Sequence, residues 1–122
     1  MNLARYNRFT EELTRKLDDD PRVLGLVALG SMAQQDYQPD AWSDHDFFVI
    51  TIQGVQEDMR QDLSWLPRAD ELVFQFRETE HGVKALYRGG HLLEFAVFNE
   101  DELRLAQGRC VCFSYELTTT AL

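Results

Sequence analysis

The chain has few cysteines, little basic charge and no long apolar runs, and each shortage removes a class of protein. Only two of its 122 residues are cysteine, Cys110 and Cys112, one residue apart on a stretch that alternates like a strand. Without further sulfur or histidine at finger-like spacing, a Cys-x-Cys pair builds no zinc site. The lack of a disulfide framework predicts a reducing compartment. No apolar run reaches the roughly 18 residues of a membrane span, and no charged-then-apolar leader is present. Neither a membrane partner nor a signal peptide is expected, and the predicted location is cytoplasmic. Lys and Arg number 12 against 21 Asp and Glu, a formal net charge of −9. That balance argues against a nucleic-acid partner, because phosphate backbones are held by Lys and Arg. It suits a protein that holds cations or meets a basic ligand. The length allows one domain, 1–122, with a real core and no room for a second.

What the chain does have is concentrated between Leu29 and Thr51. An apolar run, Val23 to Leu29, ends in Gly30-Ser31. After a polar loop, Ser43-Asp44-His45-Asp46 opens a second apolar run, Phe47 to Ile50. Strand side chains alternate faces, so Asp44 and Asp46 project to one side, about 7 Å apart. Two carboxylates so placed can share a pair of divalent cations roughly 3.5–4 Å apart. Gly30-Ser31 offers a phosphate close backbone approach and N–H groups. Taken singly, Asp-x-Asp is often a pair of solvated turn acids, and Gly-Ser is ordinary turn chemistry. The combination, with acids at the mouth of an apolar strand, is poorly explained by solvation.

Leu3, Tyr6, Phe9, Leu13 and Leu17 recur at three- and four-residue spacing and predict a packing helix from Leu3 to Asp18, ended before Pro21. Arg22 to Leu29, apolar on both faces, predicts a central strand. Ser31 can cap a short helix through Gln35, and Asp36 to Ser43 reads as loop, with Trp42 either a lid or a structural tryptophan. His45 to Thr51 predicts the second strand, and Val55, Met59, Leu63 and Leu66 a helix from Val55 to Trp65. Leu72 to Arg77, Val83 to Tyr87 and His91 to Phe98 alternate as strands, with a turn at Glu80-His81-Gly82 and a hairpin at Gly89-Gly90. Glu94 then sits inside an apolar strand, where an unpaired charge is costly. It either pairs with Arg88 or Lys84 on the neighbouring strand or is a third carboxylate beside Asp44 and Asp46. Asn99 can cap a helix from Glu100 to Gln107, and Arg109 to Tyr115 alternates as a last edge strand. His45 alternates away from the two aspartates and is not counted as a ligand; His81 and His91 read as turn and surface residues.

Strand-Gly30-Ser31, then Ser43-Asp44-His45-Asp46-Phe47, then Leu93-Glu94-Phe95 in a later strand resembles the polymerase-beta-type nucleotidyltransferase superfamily. The segment from Glu80 to Phe98 is similar to the lincosamide and aminoglycoside nucleotidyltransferases, and the whole resemblance covers Val23 to Phe98. It implies an α/β (α+β) fold, a mixed β-sheet flanked by helices. It also implies transfer of a nucleoside monophosphate from an NTP, ATP first among them, to a hydroxyl of a small, antibiotic-like acceptor. By position, the Gly30 backbone and Ser31 would hold the terminal phosphates, and Asp44 and Asp46 would bind Mg²⁺ or Mn²⁺. Glu94 would complete the metal site or serve as base for the acceptor. Such a transfer needs positioning and charge neutralisation more than covalent help, and Mg²⁺ takes one or two carboxylates plus phosphate oxygens.

Two other readings remain open at this level. One is an antitoxin-like transferase that nucleotidylates a partner protein. The other is a catalytically weak nucleotide-binding or assembly module, which Gln34-Gln35 would suit, because the resembling families often carry Arg or Lys and then Gly there. No stretch after Phe98 looks able to build an acceptor pocket, and Val111, Phe113 and Tyr115 would make an apolar edge. The expectation is a homodimer or a partner chain that completes the acceptor cleft; the alternative is a compact monomer whose last helix covers that edge.

Overall fold

The computed structural model describes residues 3–29, 45–109 and 115–118. Helix α1 (Leu3–Asp18) follows the predicted period, with Phe9, Leu13 and Leu17 fully buried. Each contributes about 1.5–3 kcal/mol by leaving water. Asp20 receives the chain after it: its carboxylate takes the Arg22 backbone N–H at 2.9 Å and the Arg22 guanidinium at 2.7 Å, fixing the turn at Pro21. Strand β1 (Val23–Leu29) pairs antiparallel with β2 (His45–Thr51), and β2 pairs parallel with β5 (Leu92–Asn99). Strand β4 (Gly82–Tyr87) lies antiparallel between β5 and β3 (Leu72–Arg77), and β6 (Tyr115–Thr118) lies antiparallel along the outer edge of β1. The described sheet therefore runs β3-β4-β5-β2-β1-β6. A mixed sheet with helices against it is the expected α+β class.

The two faces are unequal. Beneath α1 lies the main core, where Phe47 and Val49 of β2 meet Leu93, Phe95 and Val97 of β5, with Met59, Leu63, Trp65 and Leu66 closing the side. The opposite face carries a smaller cluster of Val27, Ile50, Ala96 and Phe98, against which Leu103 of α3 (Glu100–Arg109) packs. The reciprocal cap at the start of α3 is complete: the Glu102 backbone N–H donates to Asn99 Oδ1 at 2.8 Å, and the Asn99 N–H donates to Glu102 Oε1 at 3.0 Å.

Two predicted boundaries are corrected. The helix expected from Val55 to Trp65 is only α2 (Gln56–Gln61). Asp62 leaves helical geometry, and its carboxylate takes the Ser64 N–H at 3.0 Å, an Asx turn that competes with the helix. Leu63, Trp65 and Leu66 still reach the core, but from a loop, with the Trp65 indole N–H donating to the Met59 carbonyl at 2.7 Å. Of the edge strand expected from Arg109 to Tyr115, Arg109 belongs instead to α3, while Tyr115 does pair with β1, opposite Leu29; residues 110–114 lie outside the described residues. Cys110 and Cys112 lie outside the described residues.

Candidate functional site

Strand parity puts Asp46 and Glu94 together. They are direct register partners on the parallel pair β2 and β5, on the face opposite α1, at the head of the column that continues through Phe48 and Ala96 to Ile50 and Phe98. Neighbouring strands lie about 4.8 Å apart, so the carboxylates share one small volume. Both are half-buried. Burial first, and the charge of Glu94 second, push the Asp46 carboxyl from 3.8 up to about 6.

A cation could relieve that crowding, yet among the described residues no ion pair reaches either acid. Lys84 is the register partner of Glu94, but its Nζ sits 3.2 Å from Glu78 Oε2. The ion pair with Arg88 or Lys84, the structural alternative for Glu94, is therefore not formed.

The two acids stand in a groove of about 730 Å³, walled by Phe48, Ala96 and Phe98 of the sheet, Glu102 and Leu105 of α3, and residues 78–82, the turn that leads into β4 at Gly82. That last wall is a rigid turn. The Gly82 N–H donates to Thr79 Oγ1 at 2.9 Å, and a Cβ at Gly82 would meet that oxygen at 2.7 Å, so the turn admits glycine alone without shifting. The Arg77 guanidinium donates to the Thr79 and Glu80 carbonyls and grips both oxygens of Glu57 at 2.7 Å. At the other wall, Arg60 is almost wholly buried, donating to the Val97 carbonyl and to Glu102 Oε1 at 2.9 Å. Glu102 Oε2 lies 3.4 Å from His81 Nε2, whose ring leans on Phe98.

Of the predicted site residues, Asp46 and Glu94 are brought together. Gly30, Ser31 and Asp44 lie outside the described residues, as do Gln34, Gln35 and Trp42. Among the described residues no three His, Cys, Asp or Glu side chains gather as a metal cage; Asp46 and Glu94 supply two oxygen-donor groups of the hard type that Mg²⁺ prefers.

His91 is corrected from surface residue to core. It is 8% exposed, and its Nε2 lies 2.8 Å from Nδ1 of His45, which has no exposure at all. Thr10 Oγ1 donates to the Tyr6 carbonyl at 3.1 Å and stands 2.9 Å from His45 Nε2. Its oxygen therefore accepts from His45 Nε2–H, and His45 Nδ1 accepts from His91. Tyr6 stacks on His45 at 3.9 Å. Burial first, and His91 second, hold the His45 imidazole down at about 3, so it is neutral at ordinary pH. The sequence carried the signal for His91: it shares parity with Leu93, Phe95 and Val97, all of which face the main core. Glu102, as a groove wall, has a weaker one in the Asn99-to-Glu102 capping spacing, and His81 meets it only through the fold.

No protein-family model matches the chain, and no curated protein is significantly similar to it. Among the described residues no helix is long and apolar enough to cross a membrane.

Proposed function

We propose that the chain is a metal-dependent nucleotidyltransferase that moves a nucleoside monophosphate from an NTP to the hydroxyl of a small-molecule acceptor. The observation that carries this reading is the Asp46–Glu94 pair: two register-matched carboxylates without a described cationic partner, one pushed up to about 6, at the head of a groove. A solvated structural pair would not be placed on the half-buried face of two central strands. Mg²⁺ held by these carboxylates would neutralise phosphate charge and orient the leaving group. Asp46 is the ligand, and Glu94 either shares the ion or takes the acceptor's proton. Asp44, two residues before Asp46, adds a third carboxylate by sequence, and Gly30-Ser31 the phosphate contacts.

The groove suits an acceptor with positive charge, because Asp46, Glu80 and Glu94 line it without a described ion pair, beside Glu78 and Glu102, which are already paired with Lys84 and Arg60. The test is incubation with Mg²⁺, each NTP and a panel of hydroxylated acceptors, some aminated, followed by mass measurement of acceptor and protein. The reading expects an acceptor heavier by one nucleoside monophosphate, with no product from the Asp46→Asn variant. Labelled protein instead of labelled acceptor would move the reading to a protein substrate. No transfer to either, from any NTP, would contradict it.

A further inference from the structure

A second charged site lies on the other side of the sheet, and the groove chemistry does not use it. The chain carries a net charge of −9, yet Arg5, Arg8, Arg68 and Arg88 line one cavity of about 90 Å³ with Glu71, Tyr87 and His91. They come from three separate parts of the chain: the first two turns of α1, the loop before β3, and the β4–β5 hairpin. Among the described residues Arg8 and Arg88 make no ion pair, and Arg68 makes only long ones, 3.4 Å to Glu12 and 3.8 Å to Glu71. Among the described residues Glu71 is the only acid lining the cavity, and Glu12 reaches Arg68 from beside it; Arg68, Arg8 and Arg88 together outnumber these two carboxylates.

The backbone at Arg68 shows a cost incurred to hold its side chain there. Arg68 has φ of 49°, the one positive value among the described non-glycine residues. A long side chain in left-handed geometry costs roughly 1–2 kcal/mol against glycine, and such outliers persist where the surroundings demand them, ligand clamps among them.

The frame behind the cavity is fixed. His91 is clamped by His45, stacks on Tyr87 at 5.3 Å and meets Phe9 edge-on. The Tyr87 hydroxyl donates to the Pro67 carbonyl at 2.5 Å, and the Arg88 N–H donates to the Glu71 carbonyl at 2.8 Å, so the hairpin and the Arg68 loop move as one. Guanidinium forks match tetrahedral oxyanions, and the volume takes one such group but not a nucleoside.

We propose that this cavity binds a phosphate dianion, either free or as the end group of a small phosphomonoester, on the face opposite the Asp46–Glu94 groove.

The test is calorimetric titration of the full chain in EDTA at fixed ionic strength, with inorganic phosphate in one arm and glycerol 3-phosphate in the other. EDTA removes any contribution from a metal–nucleotide site, so failure here is separate from failure of the transferase reading. Saturable binding is expected in at least one arm, the tighter arm identifying free ion or ester. Arg8→Gln/Arg88→Gln should bind about tenfold more weakly or worse, the loss of at least one charged hydrogen bond, with an unchanged melting temperature in the absence of ligand. Arg68→Gly should also bind more weakly while melting no lower than wild type, since glycine relieves the left-handed strain. Absence of saturable binding in both arms, or variants that bind as tightly as wild type, would overturn the proposal.

Discussion

Replacing Asp46 by Asn should make the metal-free protein more stable. Burial and Glu94 together lift the Asp46 carboxyl from 3.8 to about 6. At about 1.36 kcal/mol per pH unit, that gap penalises the ionised fold by ~3 kcal/mol. The side chain is only half-buried, and screening reduces the figure to about 1–2 kcal/mol. The folded state holds this proton more tightly than the unfolded chain does. Stability contributed by the protonated form is therefore lost as pH rises from about 4 through about 6, and above that the loss is complete. An amide of the same shape carries no charge to penalise. Asp46→Asn should melt about 3–8 °C above wild type at about pH 7.5 in EDTA, and the advantage should vanish near about pH 4. Scanning calorimetry of both proteins along a pH series reads the difference directly. Mg²⁺ with an NTP should reverse the order, because a ligand bound only by wild type raises its melting temperature alone. A variant less stable than wild type in EDTA at neutral pH, or an advantage equal at both ends of the series, would refute the electrostatic reasoning.

Glu94→Gln should lower the Asp46 titration seen by carboxyl NMR but leave it above 3.8, since burial is the larger cause; an unmoved titration would show that the two acids do not interact. His45 is held at about 3 in the fold, so the unfolded chain binds more protons below about pH 6.5, and stability falls there by up to ~1.4 kcal/mol per pH unit. His45→Leu should flatten that part of the urea-midpoint profile, at a cost near neutrality of about 1–3 kcal/mol from the partners left on His91 and Thr10; an acid limb as steep as wild type's would clear His45 of the effect. Arg60→Ala should destabilise by about 3–5 kcal/mol in urea, because Glu102 and the Val97 carbonyl lose their buried partner; a loss below about 1 kcal/mol would mean the tie between α2, β5 and α3 is dispensable.

Much of the sheet was legible because period-2 alternation and turn residues agree locally. Leu72 to Arg77 and the Gly89-Gly90 hairpin illustrate this: both glycines have φ of 96°, a geometry that side chains resist. The pairing of Asp46 with Glu94 was legible for the same reason, since parity alone put both on one face. The end of α2 was not, because the apolar spacing of Val55, Met59, Leu63 and Leu66 satisfies a helix as well as a helix followed by an Asx turn. The turn is decided by a side-chain-to-backbone bond that spacing does not reveal. His91 carries a local mark of burial in its parity with Leu93, Phe95 and Val97, and its polarity points the other way; the partner that lets it be buried is another histidine 46 positions away, which spacing does not show. The basic cavity was equally hidden, since its arginines are scattered from Arg5 to Arg88 and converge only through the fold.

On the proposed function, Asp46 and Glu94 would hold a divalent cation together with a nucleotide. Calorimetric titration of a non-hydrolysable ATP analogue, with and without Mg²⁺, into wild type and Asp46→Asn tests it most directly. Wild type should bind only with Mg²⁺ present and Asp46→Asn should not bind, while the circular dichroism spectrum stays the same. Nucleotide affinity indifferent to Mg²⁺, or equal in the two proteins, would contradict it.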